Sequence, residues 1–221
     1  MRRSNGLEYK LFDNGAAVLC GIGSCESEFI YVPESVDGFT VVGVTEKAFC
    51  RCEQIKGVVL PSSVRSVGAQ AFAWCRNLES IVLEGAVEIK DRAFIGCDKL
   101  SEVKFGSVLG VIGEKAFAHC PSITGAQFPN SLAVLGSGAF EGCRNLSRVA
   151  LSVNVKIIEN GTFYGCTGLR KVSLPDNLEY IDEYAFAYCI SIEDMDIPPK
   201  TVINRDAFFE CGNICLGDKV S

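Results

Sequence analysis

Hydrophobic positions along this chain recur with a period of 22 or 23 residues. Each period carries a small residue followed by a phenylalanine, and a cysteine three residues after the ring. The phenylalanines of this motif are Phe49, Phe72, Phe94, Phe117, Phe140, Phe163, Phe186 and Phe208. A fixed period of this length predicts a solenoid, in which each coil buries its apolar face against the neighbouring coils. We therefore expect these rings to stack along one axis inside the protein.

Each period divides into three parts with different hydrophobic patterns. A first strand alternates inward and outward residues, as in residues 78–83, where Ile81 and Leu83 should face the core. A turn that often begins with proline ends this strand, and a shorter extended segment such as residues 64–67 follows. The Ala-Phe-x-x-Cys motif is too short for a regular helix and is predicted to form a 3₁₀-like or α turn. The expected fold class is an α/β solenoid dominated by strands, with one short helical turn in each coil.

The first residues of the chain do not follow the period. Residues 7–12 alternate, residues 13–15 (Asp-Asn-Gly) indicate a turn, and residues 16–20 can return as a second strand. Such a hairpin would cover the open first edge of the solenoid. The expected division is a β-hairpin cap over residues 1–28, a solenoid over 29–216 and a C-terminal tail over 217–221. No amphipathic capping segment follows the last motif, so we expect the last core layer to be open. Either the chain was cut from a longer array of repeats, or this end docks on another molecule, which could be a second copy of the chain.

Composition and charge exclude several classes of function. The chain of 221 residues is 48% hydrophobic and carries a net charge of −6, so it is a folded protein without a basic surface for nucleic acid. No apolar run approaches the ~20 residues that cross a bilayer, and membrane insertion is not expected. The basic N-terminus leads into residues 7–10, which do not form the apolar core of a signal peptide. The protein is therefore expected to be cytoplasmic, or its leader has been removed.

The 12 cysteines would ordinarily suggest disulfides or a metal site, but the period argues against both. One repeat position holds Cys52, Cys75, Cys97, Cys120, Cys143, Cys166, Cys189 and Cys211. Equivalent atoms of stacked strands lie about 4.8 Å apart, whereas a disulfide needs facing Cβ atoms about 3.5–4.5 Å apart. We interpret these cysteines as small, free, buried thiols, and the alternative is a metal ladder. Outside this position, Cys20 and Cys25 could pair across the hairpin, while Cys50 and Cys215 have no evident partner.

Catalytic chemistry is not indicated by the spacing of reactive residues. His119, the only histidine, precedes Cys120, but adjacent residues in a turn point in different directions, and a surface histidine is the simpler interpretation. Glu193, Asp194 and Asp196 could form an acidic cluster, although calcium needs more oxygens from a converging backbone. Single glycines in turns do not form a phosphate loop. We predict that the protein is not an enzyme and holds no cofactor or metal.

The outward positions of the first strands offer a candidate binding face. By alternation these positions are mostly small or polar, with basic residues in the middle and acidic residues at the far end. The candidate contact residues are Lys104, Gln127, Arg148, Lys171, Asp194 and Asp196. Such a face could bind a protein or a glycan, with Arg148 and Lys171 as anchors. The alternative is an ordinary solvated surface.

A second row of outward positions turns apolar in the later coils. It lies just before the inward residue of each shorter extended segment and comprises Val111, Val134, Ile157, Tyr180 and Val202. An exposed apolar stripe often marks an interface, and this one could support self-association. β-branched residues also suit strands in general, which is the alternative explanation.

The motif resembles the BspA-like leucine-rich repeats of bacterial and protozoan surface proteins. The family pattern is L-x-x-I-x-L-P-x-x-V-x-x-I-G-x-x-A-F-x-x-C, and residues 55–75 match it almost position for position. The resemblance extends over residues 29–214 and includes Pro33 and the Asp37-Gly38 pair. The sequence departs from the family pattern at Ala126, Thr162 and Lys200.

This resemblance implies a right-handed leucine-rich repeat solenoid that binds proteins or other macromolecules, often at a cell surface. A non-catalytic scaffold for protein–protein interaction or adhesion is therefore the expected function, with a protein or glycan as partner. The alternative is a structural spacer segment of a larger cell-surface protein. The resemblance suggests a surface or secreted location, and without a leader the location would be cytoplasmic.

Overall fold

The computed structural model describes residues 2–193 and 195–212, and strands dominate this part of the chain. The N-terminal strands are β1 (Arg2–Ser4), β2 (Leu7–Leu11), β3 (Ala16–Gly21), β4 (Phe29–Tyr31), β5 (Ser35–Val36) and β6 (Phe39–Val44). The later first strands of the coils are β7 (Gly57–Val59), β9 (Ser80–Leu83), β11 (Glu102–Phe105), β13 (Gly125–Gln127), β15 (Arg148–Ala150) and β17 (Lys171–Ser173). The second strands are β8 (Ser66–Val67), β10 (Glu88–Ile89), β12 (Val111–Ile112), β14 (Val134–Leu135), β16 (Ile157–Ile158), β18 (Tyr180–Ile181) and β19 (Val202–Ile203).

The N-terminal hairpin extends the sheet of second strands. β1 pairs antiparallel with β2, β2 pairs antiparallel with β3, and β3 pairs in parallel with β6. The edge of β6 is thus covered by three strands of the same chain, and β1 becomes the terminal strand of this sheet. The boundaries of the cap and the solenoid stay predictions. The tail and the expected open C-terminal layer fall at residues 213–221, outside the described residues.

Equivalent strands of successive coils pair in parallel and in register. The first strands form a sheet in the order β4-β7-β9-β11 and a separate one in the order β13-β15-β17. The second strands run β6-β8-β10-β12-β14 and then β16-β18-β19. In-register pairing places the same repeat position side by side along the protein, so a property repeated in the sequence becomes a continuous row on the surface.

The Ala-Phe-x-x-Cys motif forms tight turns instead of the predicted helical turn. Within one coil the Ala73 N–H donates to the Gln70 carbonyl at 3.1 Å, and the Cys75 N–H donates to the Phe72 carbonyl at 3.2 Å. Between these bonds, the Phe72 N–H reaches the next coil and donates to the Ala93 carbonyl at 2.8 Å. Amide groups of the motif therefore bond alternately within their own coil and to the next one.

This alternation requires left-handed backbone two residues before and two residues after the phenylalanine. Positive φ occurs at Lys47, Arg51, Gln70, Trp74, Arg92, Gly96, Lys115, His119, Gly138, Gly142, Gly161, Gly165, Tyr184, Tyr188 and Glu210. A 3₁₀ or α turn needs consecutive residues with negative φ, so the predicted helical turns are not confirmed, and the described residues contain no helix. The fold is a strand-dominated β-solenoid rather than an α/β one, and its handedness stays a prediction.

The phenylalanines of the motif form the predicted stack. Consecutive ring centroids lie 5.0 to 5.3 Å apart, except for 6.0 Å between Phe140 and Phe163. The wider step coincides with Thr162, which replaces the usual alanine and donates its hydroxyl to the Glu159 carbonyl at 2.8 Å. The second-strand ladder also breaks at this step, between β14 and β16.

The repeated cysteines are free thiols that bridge successive coils by hydrogen bonds. The Cys120 thiol donates to the Phe94 carbonyl of the preceding coil at 3.1 Å, and Cys143 does the same to Phe117. The buried members are Cys75, Cys97, Cys120, Cys143, Cys166 and Cys189, while Cys52 and Cys211 are half-buried. The expectation of small, free, buried thiols is therefore confirmed at six of the eight repeat positions. Cys20 and Cys25 are also free, so they form no disulfide, and Cys215 lies outside the described residues.

Candidate binding surfaces

The first-strand face presents most of its predicted contact residues to solvent. Lys104, Gln127, Arg148, Lys171 and Asp196 are exposed, whereas Asp194 lies outside the described residues. Arg148 on β15 is the direct partner of Lys171 on β17, and Gln127 on β13 stands beside β15. The structure thus brings together Gln127, Arg148 and Lys171, while Lys104 lies on β11 across the break in the ladder.

Arg148 and Lys171 are neighbouring cations with no acidic partner in the described part of the chain. In-register parallel strands separate such residues by about 4.8 Å, and neither side chain makes an ion pair there. A Cβ atom at Gly125 would lie 3.4 Å from the Cγ atom of Arg148, so the arginine stem crosses over this glycine. Because Gly125 has no side chain, the arginine stem can lie over its backbone, and Arg148 is still exposed to solvent.

Open grooves flank the basic pair. A depression of about 580 Å³ is lined by Ser147, Arg148 and Lys171, among others. A larger one of about 900 Å³ lies between β17 and the following segment, where Lys171 and Asp196 stand on its walls. The predicted basic and acidic ends of the face therefore meet across one groove.

Lys104 differs from these two cations because it is neutralised within the protein. Its ammonium group lies 2.6 Å from a carboxylate oxygen of Glu84. Both groups are more than half exposed, so the pair contributes little to stability. Lys104 is consequently a poorer anchor for an acidic partner than Arg148 or Lys171.

Two aromatic residues on the first-strand face escaped the sequence analysis. Phe29 and Tyr31 on β4 are 50% and 70% exposed, and the Phe29 ring covers Gly57 on β7. The alternation of residues 29–32 already contained this information, because Ile30 is buried and its neighbours must point outward. The N-terminal part of the face is thus aromatic, whereas its middle and C-terminal parts are charged.

The second-strand row carries the predicted apolar residues at its surface. Val134, Ile157 and Val202 are 46%, 42% and 49% exposed, and Val111 and Tyr180 are half-buried. Val111 pairs with Val134, and Tyr180 pairs with both Ile157 and Val202. The break between β14 and β16 divides the stripe into two parts.

The adjacent His119 and Cys120 do not form a catalytic pair. His119 is exposed, with its Nε2 atom 3.7 Å from a Glu141 carboxylate oxygen, whereas Cys120 is fully buried. Burial raises the pKa of the Cys120 thiol well above its ordinary value, and the neighbouring Cys97 raises it further. A thiol that stays protonated and inaccessible does not serve as a nucleophile.

Within residues 2–193 and 195–212, no three His, Cys, Asp or Glu side chains come together as a metal site would require. No described segment forms a helix with the length and apolar content needed to cross a bilayer.

The parallel ladders of first and second strands, joined by the hydrogen bonds between turns of successive coils, define the class of protein as a repeat solenoid. Comparison with known proteins gives its family. The BspA type leucine-rich repeat region matches residues 24–143 and 87–215, in six copies. The leucine-rich repeat protein TpLRR of T. pallidum is 34% identical, covers 86% of this chain and 90% of its own, and superposes with a TM-score of 0.79. A leucine-rich repeat protein from Bacteroides ovatus shares the fold, with 22% identity, 99% and 66% coverage of the two chains and a TM-score of 0.78. No curated protein gives a significant match.

The chain belongs to the BspA-type leucine-rich repeat family. Membership explains the period and the phenylalanine stack, because each repeat supplies one coil of the solenoid. Repeat scaffolds of this kind commonly bind proteins, and this is the coarse function that the family indicates.

Proposed function

We propose that this chain is a non-catalytic scaffold that binds a protein or a glycan through its first-strand face, with Arg148 and Lys171 as anchors. The observation that carries the proposal is the side-by-side placement of two cations that make no ion pair with any described residue. Like charges directly opposite each other destabilise a sheet. An acidic group of a partner that contacts both cations would relieve this repulsion, so the free energy of binding includes the removal of an unfavourable contact.

The surroundings of the pair favour a partner of macromolecular size. Lys171 lines two open grooves, of about 580 and 900 Å³, and Asp196 offers a polar contact in the larger one. Tyr31, at the opposite end of the face, supplies an exposed aromatic ring of the type that dominates binding hot spots. A ligand that spans these residues would follow several coils, as extended partners of solenoids do.

The test is a charge reversal of the anchors. Arg148→Glu combined with Lys171→Glu should abolish capture of the partner by the purified chain, and binding of the native protein should weaken as salt increases. The matched control is Lys47→Glu with Lys90→Glu, which changes net charge equally but alters cations that lie beside their own glutamates. Equal partner binding by the anchor variant and the native protein would contradict the proposal.

We propose a second role for the apolar stripe in self-association. Val134, Ile157 and Val202 expose branched side chains on consecutive or nearby coils, and exposed contiguous apolar surface favours an interface. Replacing Ile157 with Glu and Tyr180 with Ser should convert any oligomer into monomers, measured by sedimentation equilibrium. A native protein that is monomeric at every concentration would rule this role out.

A spacer within a larger surface protein is the competing function. It requires only hydrogen bonds between adjacent coils, such as those of the turns, and no ligand at Arg148 or Lys171. Flanking anchor or adhesion domains in the gene would favour it, together with unchanged adhesion after charge reversal. A surface or secreted location, which the family suggests, suits both functions.

A further inference from the structure

Four exposed aromatic rings meet on the row of tight turns near the C-terminal end of the described chain. They are Tyr164, Tyr184, Tyr188 and Phe209, each between 36% and 44% exposed. Tyr188 contacts both Tyr164 and Phe209 edge to face, with centroids 5.2 and 5.6 Å apart, and Tyr184 lies 6.2 Å from Phe209. Tyr164 and Phe209 directly follow a repeated phenylalanine, whereas Tyr184 and Tyr188 lie two residues before and two residues after one, so the cluster joins three repeat positions.

A depression of about 220 Å³ lies beside this cluster. Tyr164 and Tyr184 form its aromatic wall, and Gly138 and Gly161 form part of its lining. The remaining lining residues are polar: Lys115, Ser137, Glu141 and Asn160. The site therefore combines exposed ring faces with donors and acceptors within a space suited to one small ring.

Neighbouring side chains cover other glycines of the turn row but leave the space at Gly161 open. At Gly138, the equivalent glycine of the preceding coil, a Cβ atom would lie 3.1 Å from the Cγ atom of Lys115 and 3.1 Å from a carboxylate oxygen of Glu141. Two glycines that lie after the phenylalanine instead of before it are covered by rings. A Cβ atom at Gly96 would lie 2.2 Å from the Trp74 indole, and one at Gly142 would lie 2.5 Å from the His119 imidazole. At Gly161 the only atom within 4 Å is the Cβ atom of Tyr164, at 3.7 Å. The chain thus covers these other glycines with its own side chains and leaves the space at Gly161, beside Tyr164 and Tyr184, unfilled.

The charges of the depression cancel within the protein. The Lys115 ammonium group lies 3.0 Å from a carboxylate oxygen of Glu141, and His119 lies on the other side of the same carboxyl group. A phosphate or other anion would find no uncommitted cation in the lining, and a cation would compete with Lys115. The half-buried Glu141 carboxylate, the Ser137 hydroxyl and the Asn160 amide suit a neutral ligand that carries several hydroxyl groups.

From this combination we propose that the depression binds a neutral hexopyranose unit of a glycan. Sugars of this kind whose hydroxyls are all equatorial present axial C–H groups on both ring faces, and these pack on aromatic rings while the hydroxyls exchange hydrogen bonds around the rim. Tyr184 and Tyr164 supply the ring faces, the Glu141 carboxylate accepts hydrogen bonds from the hydroxyls, and the Asn160 amide donates to or accepts from them. A proline-rich peptide would need a succession of aromatic-lined pockets along an extended groove, whereas this site is a single depression in the described surface. The proposal does not depend on the first-strand face, which uses other residues.

The test titrates the full chain with cellotetraose and with chitotetraose, followed by saturation-transfer NMR and isothermal calorimetry. We expect saturable binding of at least one of them, and a loss of affinity of about tenfold or more in Tyr184→Ala. Gly161→Gln should abolish binding by filling the depression. The same repeat position already holds a glutamine at Gln70 with φ 54°, so the backbone tolerates this side chain and the variant should fold.

Two controls separate this site from other surfaces. Trp74→Ala removes an exposed aromatic residue of the same turn row at another coil, and it should leave sugar affinity unchanged. The Arg148→Glu and Lys171→Glu variant should likewise bind the oligosaccharides normally, whatever happens to its macromolecular partner. The proposal is overturned if neither oligosaccharide binds saturably, or if Gly161→Gln binds as well as the native protein. Binding of decaproline that Gly161→Gln abolishes, without sugar binding, would assign the site to peptides instead.

Discussion

Each phenylalanine of the repeat acts through both its ring and its carbonyl group. The Phe94 carbonyl accepts the amide of Cys97 in its own coil at 3.3 Å and the thiol of Cys120 in the next coil at 3.1 Å. A carbonyl oxygen has two lone pairs, so both bonds are satisfied. This explains why a small residue with a weak donor recurs three residues after the ring: it fits the packed core and also bridges two coils.

Removing one ring from the middle of the stack should cause a large loss of stability. Phe117 is fully buried, with ring neighbours 5.1 and 5.3 Å away on its two sides. Phe117→Ala should lower the free energy of unfolding by about 3–5 kcal/mol, because it loses buried area and leaves a cavity. Urea denaturation followed by circular dichroism measures this change. The control is Tyr31→Ala, which removes a 70% exposed ring and should shift the midpoint little; similar midpoints for Phe117→Ala and native protein would disprove the packing role.

At the scale of the element, the tight turns decide how coils approach each other. Trp74 and Gly96 occupy the same repeat position in adjacent coils, both with positive φ, and the indole lies directly on the glycine. A ring that lies on the next coil, as the indole does, therefore requires a small residue at that point. The same relation holds for His119 and Gly142, so the pattern of large residues and glycines in this row reflects packing between turns.

Gly96→Ala should therefore be more destabilising than the same change at Gly165. Both glycines have φ near +70°, at 69° and 66°, which costs an alanine about 1–2 kcal/mol. Only Gly96 also faces a neighbouring ring, since the atom nearest to a Cβ at Gly165 is the Gly142 Cα atom at 4.0 Å. Thermal denaturation of both variants measures the difference, and a double-mutant cycle with Trp74→Ala isolates the contact. Equal losses in Gly96→Ala and Gly165→Ala would show that the indole moves away freely.

At the scale of the whole molecule, three ladders hold the coils together and their breaks do not coincide. The first-strand ladder is interrupted between β11 and β13, and the second-strand ladder between β14 and β16. At the first break a void of about 30 Å³ lies beside Phe105 and Ala126, where the sequence has alanine at a usually larger position. The turn ladder crosses both breaks, as the Phe117 and Phe140 amides show by bonding to Ala139 and Thr162 of the next coil. Every pair of coils therefore keeps at least one ladder.

The buried thiols should make the whole molecule sensitive to alkali. Burial raises the pKa of Cys75 to about 12 and the pKa values of Cys120, Cys143 and Cys166 well above 9.0. In the unfolded chain these thiols lose their protons near pH 9.0, whereas in the folded protein they keep them. Their contribution to stability is thus complete below pH 9.0 and is lost as pH rises towards the folded pKa values.

The expected slope is a fall of about 1.4 kcal/mol in the free energy of unfolding per pH unit for each such thiol. Urea midpoints measured in reducing buffer between about pH 8 and pH 11 give this slope. Cys143→Ala should make the dependence shallower by the share of one thiol. A stability that does not depend on pH across this range would show that the thiols ionise equally in both states.

Much of the fold followed from the sequence, and the candidate sites followed only in part. The pairing of Arg148 with Lys171 was predictable, because equivalent positions of stacked coils must become neighbours. The ion pair between Lys104 and Glu84 was not, since it joins different repeat positions. The meeting of Tyr164 with Tyr188 was missed for the same reason. A signal for the left-handed turns was present in Gly96, Gly138 and Gly142, but the side chains at equivalent positions of other coils concealed it.

The sequence alone determined the number and spacing of the coils, the stacked rings and the buried thiols. These features depend on hydrophobic periodicity, which a chain can satisfy only by burying the same position in every coil. Tertiary structure decided the turn geometry, the breaks in the ladders and the open depression beside Tyr184. These features depend on contacts between residues at different repeat positions, whose distances are set by the path of the backbone and leave no period in the sequence.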